Sequence, residues 1–168
     1  MSELRHATHD EVPPLIDGNC TVLLLGSMLS PKSAQERFYY AHPQNRFWRV
    51  LSGVYGRAFP STREERAELA LSCGVALWDV IYSCDIVGAS DSTIKNVVYN
   101  DIDGLLSAYK NITRVYATGG KAFELLRKYA KTANNNIIAS AGRLPSTSPL
   151  NCGTSLSALI DAYSVIRS

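Results

Sequence analysis

Residues 22–25, Val-Leu-Leu-Leu, run without a break into Gly26 and Ser27. A short apolar run bounded by glycine is the pattern of a strand buried on both faces, and such strands belong to parallel sheets covered by helices. The residues that follow are not an ordinary strand-to-helix turn. Tyr39 and Tyr40 come first, then a His42-Pro43 pair, then Asn45, Arg46, Phe47 and Trp48 together. Loops beyond the carboxyl ends of parallel strands are where α/β proteins bind ligands. Aromatic faces, an amide and arginines suit a nucleic-acid base and its phosphates. The plainer alternative makes Phe47 and Trp48 the core side of a helix and Asn45 its N-cap. Composition alone leaves the two level.

The rest of the chain alternates between strand and helix patterns. Residues 46–55 carry Phe47, Val50, Leu51 and Val54 at helical spacing, with Gly56 to end the helix and Pro60 to block its continuation. Ser61 or Thr62 caps a second helix over residues 63–73, which has acidic residues in its first turns and Gly74 after its end. Residues 75–80 read as the second strand, closing on Trp78-Asp79. Residues 82–92, rich in Gly, Ser and Asp, read as a loop, and residues 93–98 and 101–109 as short helical pieces. Residues 113–118 form the third strand, and Gly119-Gly120-Lys121 opens the next helix. A polar turn at 134–136 leads to a fourth strand over 137–140. Residues 155–166, with Leu156, Leu159, Ile160, Tyr163 and Ile166 at helical spacing, close the domain. This order predicts an α/β fold: a three-layer α/β/α sandwich around a mostly parallel four-stranded sheet. Residues 1–20 are polar and without a clear period, and are expected to be a loosely packed arm with His6 and His9 solvated. Residues 21–168 are expected to form a single domain.

Bulk properties bound the function only loosely. No apolar run is long enough to span a bilayer, and no signal-peptide pattern opens the chain, so a cytoplasmic protein is expected. A net charge of +2 argues nothing by itself, but its distribution is uneven. Lys32, Arg37, Arg46, Arg49 and Arg57 face only Glu36 in one zone, and seven Lys or Arg face only Glu124 between Lys110 and Arg143. Basic segments beside the motif loops are compatible with nucleic acid, and solvated helix faces produce the same counts. Cys20, Cys73, Cys84 and Cys152 lack the tight pairs of a zinc or iron–sulfur site, so free thiols and no metal are expected.

Several motifs are near misses. Gly119-Gly120-Lys121 lacks the spacing of a triphosphate loop and reads as close backbone packing, or at most as a seat for one DNA phosphate. Asp79 is a lone carboxylate at a strand end, a weak signal for a phosphoacceptor or metal ligand. The Gly-x-Ser-x-Gly nucleophile elbow is absent. Leu144-Pro-Ser-Thr-Ser-Pro-Leu-Asn151 is the second informative loop. Its hydroxyls and amides, in a proline-stiffened turn, suit a grip on successive phosphates. The alternative there is a helix-capping loop with Leu150 in the core.

Gly26-Ser-Met with Phe38-Tyr-Tyr-Ala-His-Pro-Gln-Asn-Arg-Phe-Trp48 resembles the first motif of the hypoxanthine-DNA (deoxyinosine) glycosylase branch of the uracil-DNA glycosylase superfamily. Leu144 to Asn151 resembles the second motif. Ala76-Leu-Trp-Asp79 and Ser92-Thr-Ile-Lys-Asn-Val-Val98 are similar to segments between them. The resemblance covers nearly the whole chain from Thr21 onward, with its motifs in order.

The resemblance implies a uracil-DNA glycosylase-like fold and a monofunctional glycosylase acting on DNA that contains deaminated bases, hypoxanthine first. It implies no cofactor and no lyase step, and a monomer is expected. As its catalytic set it points to Asn45, Gly26 and Ser27. Phe47, as a stacking platform, with His42, Tyr40 and Met28, would bind the base. Ser146, Thr147, Ser148, Leu150 and Arg46 would contact DNA, with Leu150 matching the family's wedge into the gap left by a flipped nucleotide. Departures also stand out. Where better-known relatives carry a carboxylate or amide to handle water, this chain has Met28, which can do neither. The following family proline is Leu29, and a supporting histidine of the second motif is matched by Ser146. Two rivals therefore stay open: a nucleobase- or DNA-binding module that has lost its chemistry, and a phosphoacceptor domain built on Asp79.

Overall fold

The computed structural model describes residues 3–167; residues 1, 2 and 168, the outer ends of the expected arm and domain, lie outside the described residues. In chain order the elements are β1 (Leu4–Thr8), β2 (Val22–Gly26), α1 (Pro31–Glu36), α2 (Phe47–Tyr55), α3 (Arg63–Ser72), β3 (Val75–Asp79), β4 (Ile81–Val87) and β5 (Ser90–Tyr99). Then follow α4 (Ile102–Ala108), β6 (Arg114–Thr118), α5 (Gly120–Ala130), α6 (Asn136–Ala139), β7 (Gly142–Leu144) and α7 (Leu156–Tyr163), which runs into a short 3-10 helix.

The apolar run sits in the middle of the main sheet. β2 is buried at every residue. It pairs in parallel with β3 on one side and β6 on the other, and β7 extends the sheet in the order β3-β2-β6-β7. Successive strand residues face opposite ways. Val22 and Leu24 pack with Trp48, Leu51, Leu69, Leu159 and Tyr163 of α2, α3 and α7. Leu23 and Leu25 pack with Ile102, Leu125 and Ile138 of α4, α5 and α6. Two cores on two faces make the three-layer sandwich with its four-stranded parallel sheet. Helix ends follow local chemistry: the Thr62 hydroxyl accepts from the Glu65 amide at the start of α3, and Gly56 (φ 62°) ends α2.

Three expectations fail, each for a physical reason. The polar N-terminal segment is not loose. β1 pairs antiparallel with β4, Val12 is buried, and Leu15 bridges to Leu77 of β3. Its histidines are not simply solvated, since His6 bonds Asp85 at 2.9 Å and His9 is buried. Residues 82–92 are not a loop and 93–98 are not helical, because β4 and β5 pair antiparallel and complete a second sheet, β1-β4-β5. Register shifts along β4–β5 and the left-handed Asn96 (φ 55°) erase the alternation by which a strand is read in sequence. Ile94 is the single buried residue of β5, so no apolar stripe marks it. The fourth parallel strand is β7, not residues 137–140. The Asn135 side chain accepts from the Ile137 and Ile138 amides, and that cap turns a β-branched pair into the first turn of α6.

The four cysteines are free; Cys20 and Cys84 are buried, and burial pushes the Cys20 thiol up to about 11. Among the described residues no helix is long and apolar enough to cross a membrane.

Candidate active site

β2 and β3 end side by side, with Gly26 in register with Asp79. At this rim the structure has a cleft of about 340 Å³, within the ~300–1,000 Å³ span of small-molecule sites. Gly26, Ser27 and Met28 line it, together with Tyr40 and Asn45 of the first motif loop. Ser146, Thr147, Ser148, Leu150 and Asn151 of the second loop also line it, as do Asp79 and Asp91. Gly26 is glycine because of crowding: a Cβ there would lie 2.5 Å from Asp79 Oδ1 and 3.6 Å from the Tyr40 hydroxyl.

Asn45 joins the two loops. Its Oδ1 accepts from the Phe47 amide at 2.9 Å and from the Thr147 hydroxyl at 2.8 Å. A backbone N–H can only donate, so the network fixes which way the side-chain amide points. Arg46, not Asn45, is the N-cap residue of α2, yet Asn45 still satisfies the first helical amide. Its Nδ2 has no protein partner among the described residues. Since no buried side-chain nitrogen or oxygen there is left unpaired, this NH2 is open to the cleft. Asn45 therefore presents a donor, not an acceptor.

The second loop is held from several sides. The Arg46 guanidinium donates to Thr154 O at 2.6 Å and Asn151 O at 2.9 Å, and the Arg46 amide to Thr147 O at 3.1 Å. The Asn151 side chain donates to Ser146 O at 2.8 Å, and the Tyr163 hydroxyl to Pro145 O at 2.6 Å. Ser146 Oγ accepts from the Ser148 amide and Ser148 Oγ from the Leu150 amide, which leaves both hydroxyl protons available. Gly119 packs against this loop in a left-handed conformation (φ 113°), where a Cβ would touch Ser146. At the tip, Leu150 is 73% exposed rather than in the core.

Three residues of the sequence-derived set stand elsewhere. Phe47 is fully buried as the first residue of an apolar helix face, and it does not line the cleft. Tyr40 lies over it, rings 4.0 Å apart and 13° from parallel, so Tyr40 is the ring at the cleft. The Tyr40 hydroxyl meets Thr118 Oγ1 at 3.2 Å; burial, and then the Asp79 charge, raise the phenol above its ordinary value. Arg46 directs its guanidinium at loop carbonyls. His42 closes a turn, its Nδ1 accepting from the Gln44 amide and its carbonyl from the Asn45 amide, and it is absent from the cleft lining.

Sequence reasoning weighed Asp79 only as a weak lone carboxylate and missed the residues that surround it. His9 Nε2 lies 2.6 Å from Asp79 Oδ2, and His9 Nδ1 lies 3.0 Å from Val12 O, all buried. A carbonyl and a carboxylate are both acceptors, so both contacts are hydrogen bonds only when the imidazole carries two protons. Burial opposes that charge, but the Asp79 hydrogen bond and charge, with the Val12 carbonyl, outweigh it and raise the His9 pKa. Asp91, exposed as a residue, still lines the cleft and accepts from the Ser27 hydroxyl at 2.8 Å. Desolvation of its carboxylate and the nearby Asp79 charge raise its pKa, against the Ser27 bond and Lys121. Neither residue had a sequence signal, because His9 sits in a polar segment and Asp91 in an irregular strand. Among the described residues no group of three or more His, Cys, Asp or Glu side chains is placed to hold a metal ion.

No family model matches the chain. A protein of Methanosarcina barkeri named hypoxanthine DNA glycosylase is 34% identical over 113 residues, which make up 67% of this chain and 72% of that protein. One of the same name from Methanosarcina acetivorans is 31% identical over the same shares. A solution NMR structure of a candidate uracil DNA glycosylase from Methanosarcina acetivorans superposes with a TM-score of 0.78 at 24% identity, covering 98% of this chain and 100% of that one. That match shows the fold, and the two sequence matches show the kinship. The chain belongs to the hypoxanthine DNA glycosylase family.

Proposed function

We propose that the protein is a monofunctional DNA glycosylase that removes deaminated bases, hypoxanthine first and uracil second, and so begins base excision repair. The observation that carries this reading is the Asn45–Thr147 bond, which ties two loops 102 residues apart into one cleft. A target base is stacked inside the duplex, so it has to be flipped out to reach the cleft. Tyr40 then stacks on the flipped base, and Gly26, with no side chain, lets it approach the end of β2. The Asn45 NH2 donates to the base edge. Breaking the N-glycosidic bond leaves electron density on the base, which a prepositioned donor stabilises. Leu150 fills the vacated stack, and the free hydroxyl protons of Ser146 and Ser148 meet phosphates. A single domain working as a monomer in the cytoplasm belongs to the same reading.

The test uses duplexes carrying a single deoxyinosine or deoxyuridine, followed by hot alkali to cut abasic sites. Strand cleavage dependent on the protein is the expected result, with deoxyinosine the better substrate. Binding without cleavage of either would instead assign a nucleobase-binding module of the same fold.

A further inference from the structure

Asn45 offers a donor to the cleft and Met28 has no group that takes a proton, so the attacking water needs another partner. The Asp79–His9 pair is placed for it. Asp79 is only 5% exposed and its Oδ2 is tied to His9. Its Oδ1 has no protein partner, and no buried side-chain oxygen among the described residues is unpaired, so Oδ1 opens into the cleft it lines. The same oxygen lies where a side chain on residue 26 would stand. The backbone behind it is rigid: Asn100 Nδ2 donates to the Asp79 carbonyl at 2.9 Å, and the Val80 amide to Gly26 O at 2.8 Å. His9 is anchored by Val12 O and comes from the segment after β1, so the N-terminal strand holds a cleft carboxylate in place.

We infer that Asp79 is the general base of the reaction, with His9 as its positioning residue. The inference rests on the glycosylase reading above. Water oxygen bonds to C1′ of the flipped nucleotide while the C1′–N bond breaks, its electron pair leaving on the base. One water proton passes to Asp79 Oδ1 and returns to solvent, and the departed base takes up one proton from solvent. The sum is hydrolysis, with no other reactant. His9, doubly protonated between Val12 O and Asp79, holds the carboxylate turned so that Oδ1 faces the cleft.

The test is single-turnover cleavage of a deoxyinosine duplex by the parent, Asp79→Asn and His9→Gln. Binding to a duplex with a non-cleavable 2′-fluoro-deoxyinosine is measured in parallel. Asp79→Asn should lose ~10²–10³ in rate, within the range for a lost general base, with binding kept. The parent rate should fall toward alkaline pH where the His9 ring titrates by NMR, and His9→Gln should be slower and lack that limb. Tyr39, Tyr40 and Asp91 also face the pair, with Lys121 acting on Asp91, so the ring titration itself is followed. Parental cleavage by Asp79→Asn overturns the inference. So does a parent rate that stays level through the His9 titration, a result that needs no variant to fold. A parent that cleaves neither deoxyinosine nor deoxyuridine overturns the glycosylase reading itself, and the inference with it.

Discussion

The two halves of the cleft have opposite chemistries. Loops from the parallel sheet bring neutral groups: the Asn45 amide, the hydroxyls of Ser146, Thr147 and Ser148, and the apolar tip of Leu150. The charged half is where the sheets meet: Asp79 ends β3 of the parallel sheet, while Asp91 on β5 and His9, just after β1, reach it from the antiparallel one. The neutral half is pinned by backbone amides and cannot change its protonation near neutral pH. The charged half titrates. Positioning and proton handling are therefore separated in space, and pH acts on only one of them.

Asn45 is the sharpest probe of the neutral half. Asn45→Ala should lose ~10²–10³ in single-turnover cleavage, the scale for one preorganised donor, while the protein still folds and binds DNA. Asn45→Asp is more telling. An aspartate still accepts from the Phe47 amide and the Thr147 hydroxyl, so the loop junction survives, but the NH2 that faces the cleft is gone. It should be about as slow as alanine at neutral pH. An Asp variant that keeps or gains activity, with a new limb in its pH profile, would make residue 45 an orienter of water and undo the division between the halves.

The same division marks what can be read from sequence. Val22 to Leu25, the helix at residue 47 and the caps at Thr62 and Gly56 carry their structure locally, in hydrophobic period and end chemistry. The neutral half of the cleft hangs from these elements and was accessible through its motifs. Phe47 was misassigned because an aromatic residue in a motif looks the same whether it faces a ligand or supports the ring that does. β5 has one buried residue and a left-handed Asn96, so nothing local marks it as a strand. The His9–Asp79 bond spans 70 residues and exists only once β1 has paired with β4. Long-range pairing of irregular strands leaves no periodic trace, so Asp79 reads in sequence as a lone carboxylate and its neighbours His9 and Asp91 carry no signal.

Leu150 separates duplex handling from chemistry. Opening a stacked duplex costs a few kcal/mol and an open strand much less. Leu150→Ala should lower cleavage of duplex deoxyinosine by about tenfold, a fraction of that unstacking cost, with little change on single strands. Equal losses on both would make the exposed leucine a general contact instead of a wedge.

Binding should be electrostatic, each phosphate contact contributing roughly −0.9 to the slope of log affinity against log salt. Many cations near the loops are already engaged: Lys32 with Glu36, Arg37 with Glu11, and Lys121 and Lys128 with Glu124. Arg143, exposed on β7 just before the second loop, has no such partner among the described residues. Arg143→Ala should weaken binding alike for all sequences and reduce the slope by about one unit. Chelator should leave activity intact. An unchanged slope would place the phosphate track on another face.

The smallest effect belongs to the charged half and is seen in stability, without DNA. His9 has a raised folded pKa, so its contribution is complete below the unfolded value of ~6.5 and is lost as pH rises through the folded one. Asp91 also has a raised folded pKa, which for an acid means that the protonated form is favoured on folding. Its contribution is present below the unfolded carboxylate range and lost as pH rises through its folded value. Both terms fall with rising pH, but in separate windows, one acidic and one from neutral upward. Melting temperature against pH, compared between the parent and a variant lacking each group, should therefore show two descending steps. They are laid over the opposite acid-range contributions of the depressed carboxylates Asp85 and Glu124. His9→Gln should remove the upper step alone. Asp91→Asn keeps an acceptor for the Ser27 hydroxyl and should remove the lower step alone, leaving the variant slightly more stable than the parent above it. Loss of both steps in either variant would mean that His9 and Asp91 titrate as one unit, and that the charged half of the cleft is a single coupled group.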